Sequence, residues 1–459
     1  MAEQVDAIVI GGGQAGPFLA VRLAQAGMKT VIIERSHMGG TCVNNGCMPT
    51  KAMVASARVA HMARRASDYG VSVGGAVSVD MKAVKARKDK IVETSAKGLV
   101  DWIEGTENLE LVWETARFSG PREITAGDRV FAAPRIFINT GGRPVVPDWP
   151  GLAGISYLTN ESIMDLDVLP EHLIIVGGSY IGLEFAQMFA RFGSRVTVVE
   201  HGDRLIGRED PDVSDTIRQV LEGEGIAIHL NARDIAVSAM EGGGVKLNAN
   251  AGGMSMTAEG SHLLLAIGRV PNVEALDLPS EVVTNERGYI KVDDQLRTSA
   301  EGIWAMGDVT GHGAFTHTSY NDFEVVAGNL LDNDPRRVSD RIDTYALFVD
   351  PPLGRVGMSE AEARKSGRRV LAGKMPMTRV GRAKEKGETQ GFMKVLVDAD
   401  SEQFLGAAFL CTEGDEIVHT ILDAMAGKVP YTVIKRAMHI HPTVSELIPT
   451  MLQELKPLE

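Results

Sequence analysis

Short apolar runs and Gly-rich turns alternate with amphipathic stretches along the chain. The first run, VDAIVI at 5–10, leads into the turn GGGQAG at 11–16 and then into a helical pattern that reaches about Ala26. A second apolar run, TVIIE at 30–34, follows. Strand, Gly-rich turn, helix and strand in this order predict a parallel βαβ unit.

The same pattern returns in the middle of the chain. LIIVGGSYIG at 173–182 leads into the helical stretch LEFAQMFARFG, and RVTVVE closes the unit at 195–200. Glu34 and Glu200 lie at the same spacing from the last glycine of their turns. The repeated unit predicts an α/β fold with two Rossmann-like, dinucleotide-binding domains.

The segments around these units set the expected domain boundaries. Between the units lie a helical region at about 50–105 and a strand-rich stretch that ends in RIFINTGGRPVVP at 135–147. A similar phrase, HLLLAIGRVPN at 262–272, closes the second unit. This parallel indicates that the chain leaves the first domain at one phrase and returns to it at the other.

The pattern changes in the last quarter of the chain. A helix is expected at about 317–332 and a polar connector at 332–337, and shorter strands followed by helices begin at about 341. This change predicts a separate C-terminal α+β domain. The expected domains are 1–145 together with 271–340, 146–270, and 341–459.

Composition and charge narrow the class of protein. The chain has 459 residues, 44% hydrophobic and 23% charged, which is ordinary for a globular protein that needs no disulfide staples. Its net charge of −13 argues against a nucleic-acid partner and disfavours anionic membranes. No run of about 18 apolar residues predicts a membrane-spanning helix. MAEQVDAIVIGGG lacks the basic region and cleavage site of a signal peptide, so we expect a cytoplasmic protein.

The first Gly-rich turn matches G-x-G-x-x-G through Gly11, Gly13 and Gly16. In a dinucleotide site the first glycine makes the tight turn, the second lets a pyrophosphate approach, and the third packs helix against strand. The helix N-terminus then faces the phosphates, and Glu34 is placed to bind ribose hydroxyls. A Gly-rich surface turn is the alternative, and the ordered strand, helix and closing acid argue against it.

The second turn departs from this pattern, because Ser179 replaces the middle glycine between Gly177 and Gly182. The serine side chain crowds a phosphate, although its hydroxyl can also donate to one. Glu200 favours NADH over NADPH, since a carboxylate pairs with a ribose 2′-hydroxyl and repels a 2′-phosphate. Arg204 lies close enough in the sequence to accept that phosphate, so both nucleotides stay open.

The three cysteines are Cys42, Cys47 and Cys411. The first two lie close together, directly before the helical pattern KAMVASARVAHMARRA. Pro49 suits the first turn of that helix, so Cys47 lies at a helix N-terminus, where the dipole favours a thiolate. Such a pair can close and reopen a small disulfide. Two structural thiols or half of a zinc site are the alternatives, but zinc takes about four ligands and no second pair is present.

GGTCVNNGCMPTK at 39–51 resembles the active-site signature of the class I flavoprotein disulfide reductases, which include dihydrolipoamide dehydrogenase, glutathione reductase and mercuric reductase. The resemblance implies bound FAD, NADH or NADPH as electron donor, and a homodimer whose active sites are shared between the subunits. The other similar motifs are the first Gly-rich turn, INTGG at 138–142, VGGSYIGLEFA at 176–186, Thr298 with IWAMGD at 303–308, and HPTVSE at 441–446.

The resemblance assigns the thiol chemistry. It implies that Cys47 is the thiol nearest the flavin and that Cys42 is the interchange thiol that attacks the substrate. It also implies that His441, oriented by Glu446, is the acid–base and comes from the partner subunit. A thiolate nucleophile does need a nearby base with a carboxylate to orient it. HPTVSE by itself also fits a plain turn with a capping Ser and Glu.

The resemblance also assigns the cofactor contacts. Lys51 and Glu184 resemble the ion pair beside the flavin N5, and Tyr180 resembles the aromatic gate over the nicotinamide pocket. Asp308 resembles the residue that holds the ribityl chain. The other implied contacts are Thr41, Lys51 and Gly141 with the first turn for FAD, and Gly268 with the second turn for NAD(P)H.

The electron acceptor is the least determined part of the prediction. NTGGRPVVP, IWAMGDVTG and PPLGRVGMSEAEAR are similar to a mercuric-reductase-like branch, the reactive-chlorine-resistance flavoproteins, which is associated with copper(II) reduction. No cysteine pair follows Cys411 to pass on mercury as in mercuric reductases. We therefore expect a metal ion or a small disulfide as acceptor. The alternatives are a dihydrolipoamide dehydrogenase in a multienzyme complex and a thiol redox sensor.

Soft donors for copper are present near the expected active site. They are Met438, His439 and His441, with Met451 beyond. Met and His at this spacing are more often core or catalytic residues than ligands, so we predict no dedicated metal site. The Cys42–Cys47 pair is the expected metal contact, and a role for Cys411 stays open.

Overall fold

Buried β-branched residues form the central strand of each repeated unit. In the computed structural model, which describes residues 1–458, the strands Ala7–Ile10 and His172–Val176 are buried along their whole length. Both faces of a parallel sheet are covered, which explains why these strands are apolar without alternation. A Gly-rich turn and a helix follow each strand, as the sequence predicts.

Twenty-four strands form six sheets in the described chain. In chain order the strands are β1 Glu3–Gln4, β2 Ala7–Ile10, β3 Thr30–Glu34, β4 Leu109–Trp113, β5 Ala116–Gly120, β6 Glu123–Ala126, β7 Arg129–Ala132, β8 Ile136–Ile138, β9 Gly142–Pro144, β10 His172–Val176, β11 Arg195–Val199, β12 Ala227–His229, β13 Ala232–Ala239, β14 Val245–Ala251, β15 Met254–Gly260, β16 His262–Leu265, β17 Arg269–Pro271, β18 Ile303–Ala305, β19 Thr344–Leu347, β20 Leu353–Gly357, β21 Val370–Pro376, β22 Phe392–Asp398, β23 Phe404–Leu410 and β24 Lys456–Pro457.

The α-helices cover the two parallel sheets and flank the C-terminal one. In chain order they are α1 Gly16–Gln25, α2 Gly40–Asn44, α3 Cys47–Arg64, α4 Met81–Glu104, α5 Tyr180–Phe192, α6 Pro211–Gly223, α7 Thr316–Ala327, α8 Glu360–Lys365, α9 Gly381–Glu385, α10 Gly414–Ile417, α11 His419–Ala426, α12 Tyr431–Ile434 and α13 Leu447–Gln453. No helix within residues 1–458 is long and apolar enough to cross a membrane.

Two parallel sheets carry the repeated units. The first has the order β18-β8-β2-β3-β4, so a strand from residues 303–305 completes a sheet begun near the N-terminus. The second has the order β12-β11-β10-β16. Strands β9 and β17 pair with each other where the chain passes between the two sheets. The C-terminal sheet, β19-β20-β23-β22-β21-β24, is antiparallel throughout. The predicted fold class is confirmed.

The structure gives the bounds of two predicted helical regions and adds one short helix that the sequence did not predict. The helical region expected at 50–105 is two helices, α3 and α4, separated by a segment without regular helix. The helix expected at 317–332 is confirmed, because α7, Thr316–Ala327, continues without a break into a π-helix at Gly328–Asp332. The short helix α2, which carries Cys42, was not predicted, because its five residues are too few to show a helical periodicity.

One hydrophobic core joins the parts of the molecule that carry the chemistry. Met53 on α3, Phe185 and Phe189 on α5, and Leu347 and Phe392 of the C-terminal sheet all belong to it. Side chains buried in one core hold the helices that bear them at fixed positions. The cysteine helix and the helix of the second Gly-rich turn are therefore packed against each other.

Candidate active site

The first Gly-rich turn is built by close backbone contacts. Gly11 has a φ of +103°, and a Cβ there would lie 2.3 Å from the carbonyl oxygen of Asn139. A Cβ on Gly16 would lie 2.1 Å from the carbonyl oxygen of Gly11. Glu34, at the end of β3, accepts a hydrogen bond from Gly12 N at 2.6 Å through Oε2. Any side chain at Gly11 or Gly16 would open the turn.

The second turn repeats this geometry. Gly177 has a φ of +118°, and a Cβ there would lie 2.2 Å from the carbonyl oxygen of Ala266. A Cβ on Gly182 would lie 1.9 Å from the carbonyl oxygen of Gly177. Ser179 has an extended backbone and an exposed side chain directly before α5, so the serine at the middle position fits without strain.

Glu200 closes the second turn as Glu34 closes the first. Its carboxylate is buried, and Oε2 accepts a hydrogen bond from Gly178 N at 2.5 Å. Oε1 accepts one from Gly202 N at 2.6 Å and lies 2.8 Å from Nδ1 of His201. Arg204 points away, toward Asp203 at 3.3 Å. The carboxylate is therefore held in place directly after β11, beside the second Gly-rich turn.

The cysteine segment is fastened to the first turn. Gly39 N donates to the carbonyl oxygen of Gly12 at 2.7 Å, and Gln14 Nε2 donates to the carbonyl oxygen of Gly39 at 2.9 Å. Cys42 then lies on α2, and Cys47 is the first residue of α3. Both cysteines are free thiols in this structure. The pair therefore lies beside the first Gly-rich turn.

The two thiols differ strongly in acidity. A hydrogen bond from Cys42 lowers the pKa of Cys47 to about 6, with further lowering by Thr316 and Lys51 against the opposing effect of burial. The Sγ of Cys47 lies 3.1 Å from the Oγ1 of Thr316. That same bond to Cys47, and then burial, raises the pKa of Cys42. At neutral pH the negative charge of the pair therefore resides on Cys47.

Lys51 and Glu184 meet between the two helices. Lys51 Nζ lies 2.7 Å from Glu184 Oε2, and the ammonium lies 4.4 Å from the ring centroid of Phe348. Glu184 is buried, and its other oxygen accepts a hydrogen bond from Phe348 N at 3.0 Å. The structure thus brings together the ion pair that the resemblance implies, within electrostatic reach of Cys47.

Most of the predicted site residues line one cavity of about 1880 Å³. Gly16 and Gly182 are packed beneath their turns and do not line it, and neither do His441 and Glu446. The predicted residues that line it are Gly11, Gly13, Glu34, Thr41, Cys42, Cys47, Lys51, Gly141, Gly177, Ser179, Tyr180, Glu184, Glu200, Gly268 and Asp308.

Asp308 and Arg269 face each other at the first sheet. Arg269 Nε lies 3.5 Å from Asp308 Oδ2 and, though buried, has no hydrogen-bond partner. Another nitrogen of Arg269 donates to Thr41 Oγ1 at 3.2 Å. Burial raises the pKa of Asp308 while Arg269 lowers it. This cradle of polar groups beside the first Gly-rich turn fits the polar chain of FAD. The sequence analysis did not select Arg269, although it lies in the phrase HLLLAIGRVPN.

Asn139 is a second residue that the sequence analysis missed. Its buried side chain accepts a hydrogen bond from Gly16 N at 2.9 Å and donates one to the carbonyl oxygen of Met306 at 2.9 Å. It therefore ties the first turn to the segment that carries Asp308. Its position in INTGG was the available signal, but a motif does not show which backbone groups an amide will reach.

His441 and Glu446 form a pair on the C-terminal surface. His441 Nδ1 lies 2.8 Å from Glu446 Oε2, and the histidine side chain is 80% exposed. Two apolar side chains beside it are also exposed, Met438 at 97% and Ile440 at 79%. The imidazole–carboxylate pair therefore lies at the surface of the C-terminal domain, beside exposed apolar side chains.

The soft donors named in the sequence differ in burial. Met451, which the sequence analysis counted among them, is fully buried in the C-terminal core, and so is Cys411. Burial raises the pKa of Cys411, so this thiol is unreactive. The Nδ1 of His439 lies 2.8 Å from the carbonyl oxygen of Ser445. Met451, which lies beyond the other three residues in the sequence, therefore faces the core from α13.

One acidic cluster lies away from the cysteines. Asp210, Asp212 and Glu360 approach each other closely enough to hold a cation. The Lys394 ammonium already lies among them, at 3.0, 2.7 and 2.7 Å respectively. The cluster is therefore an ion-pair network between the second sheet's domain and the C-terminal domain.

The chain belongs to the pyridine nucleotide-disulphide oxidoreductase family. That family matches residues 5–322, and its dimerisation domain matches residues 344–452. The chain is accordingly a flavoprotein oxidoreductase that uses FAD and a pyridine nucleotide, and its dimerisation domain supports a homodimer. The resemblance read from the cysteine motif is confirmed.

Three relatives match over nearly the whole chain. The probable pyridine nucleotide-disulfide oxidoreductase RclA of Escherichia coli is 35% identical and covers 99% of this chain and 100% of its own. A dihydrolipoyl dehydrogenase of Bacillus subtilis is 31% identical over 98% and 97%. A mercuric reductase of Streptomyces lividans is 32% identical over 96% and 94%.

Solved structures give the same picture. The Cu(II) complex of the HOCl-induced flavoprotein disulfide reductase RclA from Escherichia coli has a TM-score of 0.88 at 33% identity, with 98% of this chain and 99% of that chain covered. Another structure of the HOCl-induced flavoprotein disulfide reductase RclA from Escherichia coli has a TM-score of 0.88 at 33% identity. It covers 98% of this chain and 100% of that chain. The chain is thus an RclA-like flavoprotein disulfide reductase.

Proposed function

We propose that this enzyme reduces a thiol-binding metal ion of the Cu(II) type with electrons from NADH, delivered through Cys42 and Cys47. One observation carries the proposal: two free thiols of different acidity lie in the same cavity as both dinucleotide turns. Bound FAD would supply the redox-active ring that carries electrons from the nucleotide to the thiols. The first turn, Glu34, Thr41, Lys51, Gly141 and Asp308 would hold it.

The dithiol suits a soft metal acceptor. A thiolate is the metal-binding form of cysteine, and Cys47 has a pKa of about 6. Thiolates also favour Cu(I) over Cu(II) as a bound state. Two Cu(II) ions each take one electron and become Cu(I), while the Cys47 thiolate and the Cys42 thiol join in a disulfide and release the one proton of Cys42. The RclA structure described as a Cu(II) complex supports the same choice of acceptor.

The proton acceptor in this scheme is His441 of the partner subunit. The imidazole is fixed by Glu446 but exposed, and it does not line its own chain's cavity. An acid–base group must lie within hydrogen-bond reach of the group whose proton it transfers. This exposed imidazole can therefore act only on the site of another subunit that contacts this surface. The neighbouring Met438 and Ile440 supply apolar surface for that contact. The dimerisation domain supports this proposal, because symmetric pairing would let each subunit offer its histidine to the other.

NADH is the proposed donor. The Glu200 carboxylate is held by Gly178 and Gly202 at the ribose end of the second turn. A fixed negative charge there favours two ribose hydroxyls over a 2′-phosphate. Arg204 is directed toward Asp203 and does not offset that charge.

The test compares NADH oxidation by FAD-loaded enzyme with Cu(II), Hg(II), lipoamide and oxidised glutathione. Cys42→Ser and Cys47→Ser should abolish metal-dependent turnover. Cys411→Ala is the matched control, because this thiol is buried in the C-terminal core, and it should retain activity. Fast lipoamide turnover would instead make the enzyme a dihydrolipoamide dehydrogenase, the function of the Bacillus subtilis relative. Slow turnover with every acceptor would indicate a redox sensor.

A further inference from the structure

Arg208 is an exposed cation near the second dinucleotide turn, and within residues 1–458 it has no polar partner. Its guanidinium lies 4.3 Å from the ring centroid of Tyr345, 5.7 Å from that of Tyr180 and 5.9 Å from that of Phe315. Within residues 1–458 it makes no hydrogen bond and no ion pair, unlike Arg204 in the same loop. It lines the cavity. Its donors are therefore open to a ligand.

The residues after Arg208 hold it in place. Glu209 is buried and accepts hydrogen bonds from the hydroxyl of Tyr345 at 2.5 Å and from Arg355 at 3.3 Å. Asp210 is also buried and bonds Arg355 at 3.0 Å and Lys394 at 3.0 Å. A fixed backbone lowers the entropy that a side chain must lose on binding. The guanidinium is thus presented by a rigid support.

The residues before Arg208 connect it to the Gly-rich turn. Ile206 is buried and has a φ of +47°, a conformation that β-branched residues rarely adopt. Its N–H donates to the carbonyl oxygen of Gly178 at 2.9 Å, and its own carbonyl accepts from Glu209 N at 2.8 Å. Strained residues of this kind persist where the surrounding structure enforces them, often at ligand sites. The hydrogen bond from Ile206 N to Gly178 holds the loop against the turn.

We infer that Arg208 binds the pyrophosphate of the pyridine nucleotide. Guanidinium donors form paired, charge-assisted hydrogen bonds with phosphate oxygens. The aromatic rings around Arg208 cannot accept such bonds, so its donors remain available for a phosphate. The loop of Arg208 is bonded to Gly178 through Ile206 N, directly before the N-terminus of α5, where the phosphates of a dinucleotide are expected. The carboxylate of Glu200, which is expected to bind the ribose, accepts hydrogen bonds from Gly178 N and Gly202 N. The inference rests on the proposed nucleotide site but not on the acceptor.

The test measures binding without turnover. FAD-loaded enzyme is titrated calorimetrically with ADP-ribose, with its 2′-phosphate derivative and with adenosine. Arg208→Gln should weaken both ADP-ribose ligands by about tenfold or more, as expected for a lost hydrogen bond to a charged group. Adenosine binding should be unchanged. Arg208→Lys should restore part of the affinity, since it keeps the charge but not the paired donors.

The control is Arg218→Gln, which removes an exposed arginine on α6 that pairs with Glu222. It should leave all three affinities unchanged. Equal affinities for wild type and Arg208→Gln would overturn the assignment, and so would a loss confined to the 2′-phosphate ligand. Failure of wild-type enzyme to bind either ADP-ribose ligand would instead contradict the proposed nucleotide site.

Discussion

Lys51 and Glu184 form an ion pair with Nζ 2.7 Å from Oε2, joining the helix of Cys47 to the helix of the second Gly-rich turn. Lys51 and Glu184 act on Cys47 in opposite directions. Lys51 helps to lower the pKa of Cys47, after the larger effects of Cys42 and Thr316, and Glu184 raises it. Residues of both dinucleotide units therefore change the pKa of Cys47.

Lys51→Met should raise the pKa of Cys47 above about 6, because the stabilising positive charge is lost. Glu184→Gln should lower it. Since the thiolate binds the metal, Cu(II) reduction should fall as the pH is lowered through about 6, and Lys51→Met should move this fall to higher pH. Ultraviolet thiolate absorbance of the reduced enzyme against pH measures the shift. Shifts of both variants in the same direction would contradict the assignment.

Asn139→Ala should destabilise the enzyme by about 1–3 kcal/mol and weaken FAD retention. The substitution leaves Gly16 N and the carbonyl oxygen of Met306 buried without their partner. Urea unfolding gives the stability, and the flavin released at fixed protein concentration gives the retention. Asn250→Ala, at an exposed position on β14, serves as the control and should change neither.

A heterodimer of a Cys42→Ser subunit and a His441→Gln subunit should recover roughly half of the wild-type activity. Each homodimer should be inactive. In the mixed dimer, one cysteine pair still faces an intact histidine from the other chain. Differently tagged subunits allow this species to be purified. An inactive heterodimer would place the histidine and the cysteines of one site on the same chain.

Glu200→Gln should raise the kcat/KM for NADPH relative to that for NADH by about tenfold. The amide keeps an oxygen for Gly178 or Gly202 but removes the charge that repels a 2′-phosphate. Steady-state kinetics with both nucleotides measure the ratio. Glu222→Gln, at an exposed residue of α6, is the control. An unchanged ratio would show that another group selects the nucleotide.

Local sequence patterns determined much of this protein. The Gly-rich turns could be predicted because tight turns and close backbone approach admit few residues other than glycine, as at Gly11 and Gly177. The paired cysteines identified the family, because that chemistry requires two thiols close together before a helix N-terminus. Strand β2 and helix α1 followed from apolar runs and periodicity, which depend on neighbouring residues alone.

Tertiary structure decided what depends on distant parts of the chain. Asn139 reaches Gly16 across the first sheet, and Arg269 reaches Asp308 and Thr41, because the sheet brings these strand ends together. The burial of Met451 depends on which face of α13 packs on the C-terminal sheet. These contacts arise from long-range packing, which hydrophobic periodicity along the sequence does not encode. The sequence by itself therefore determined the chemistry and the fold class, and the tertiary structure decided which polar groups support that chemistry.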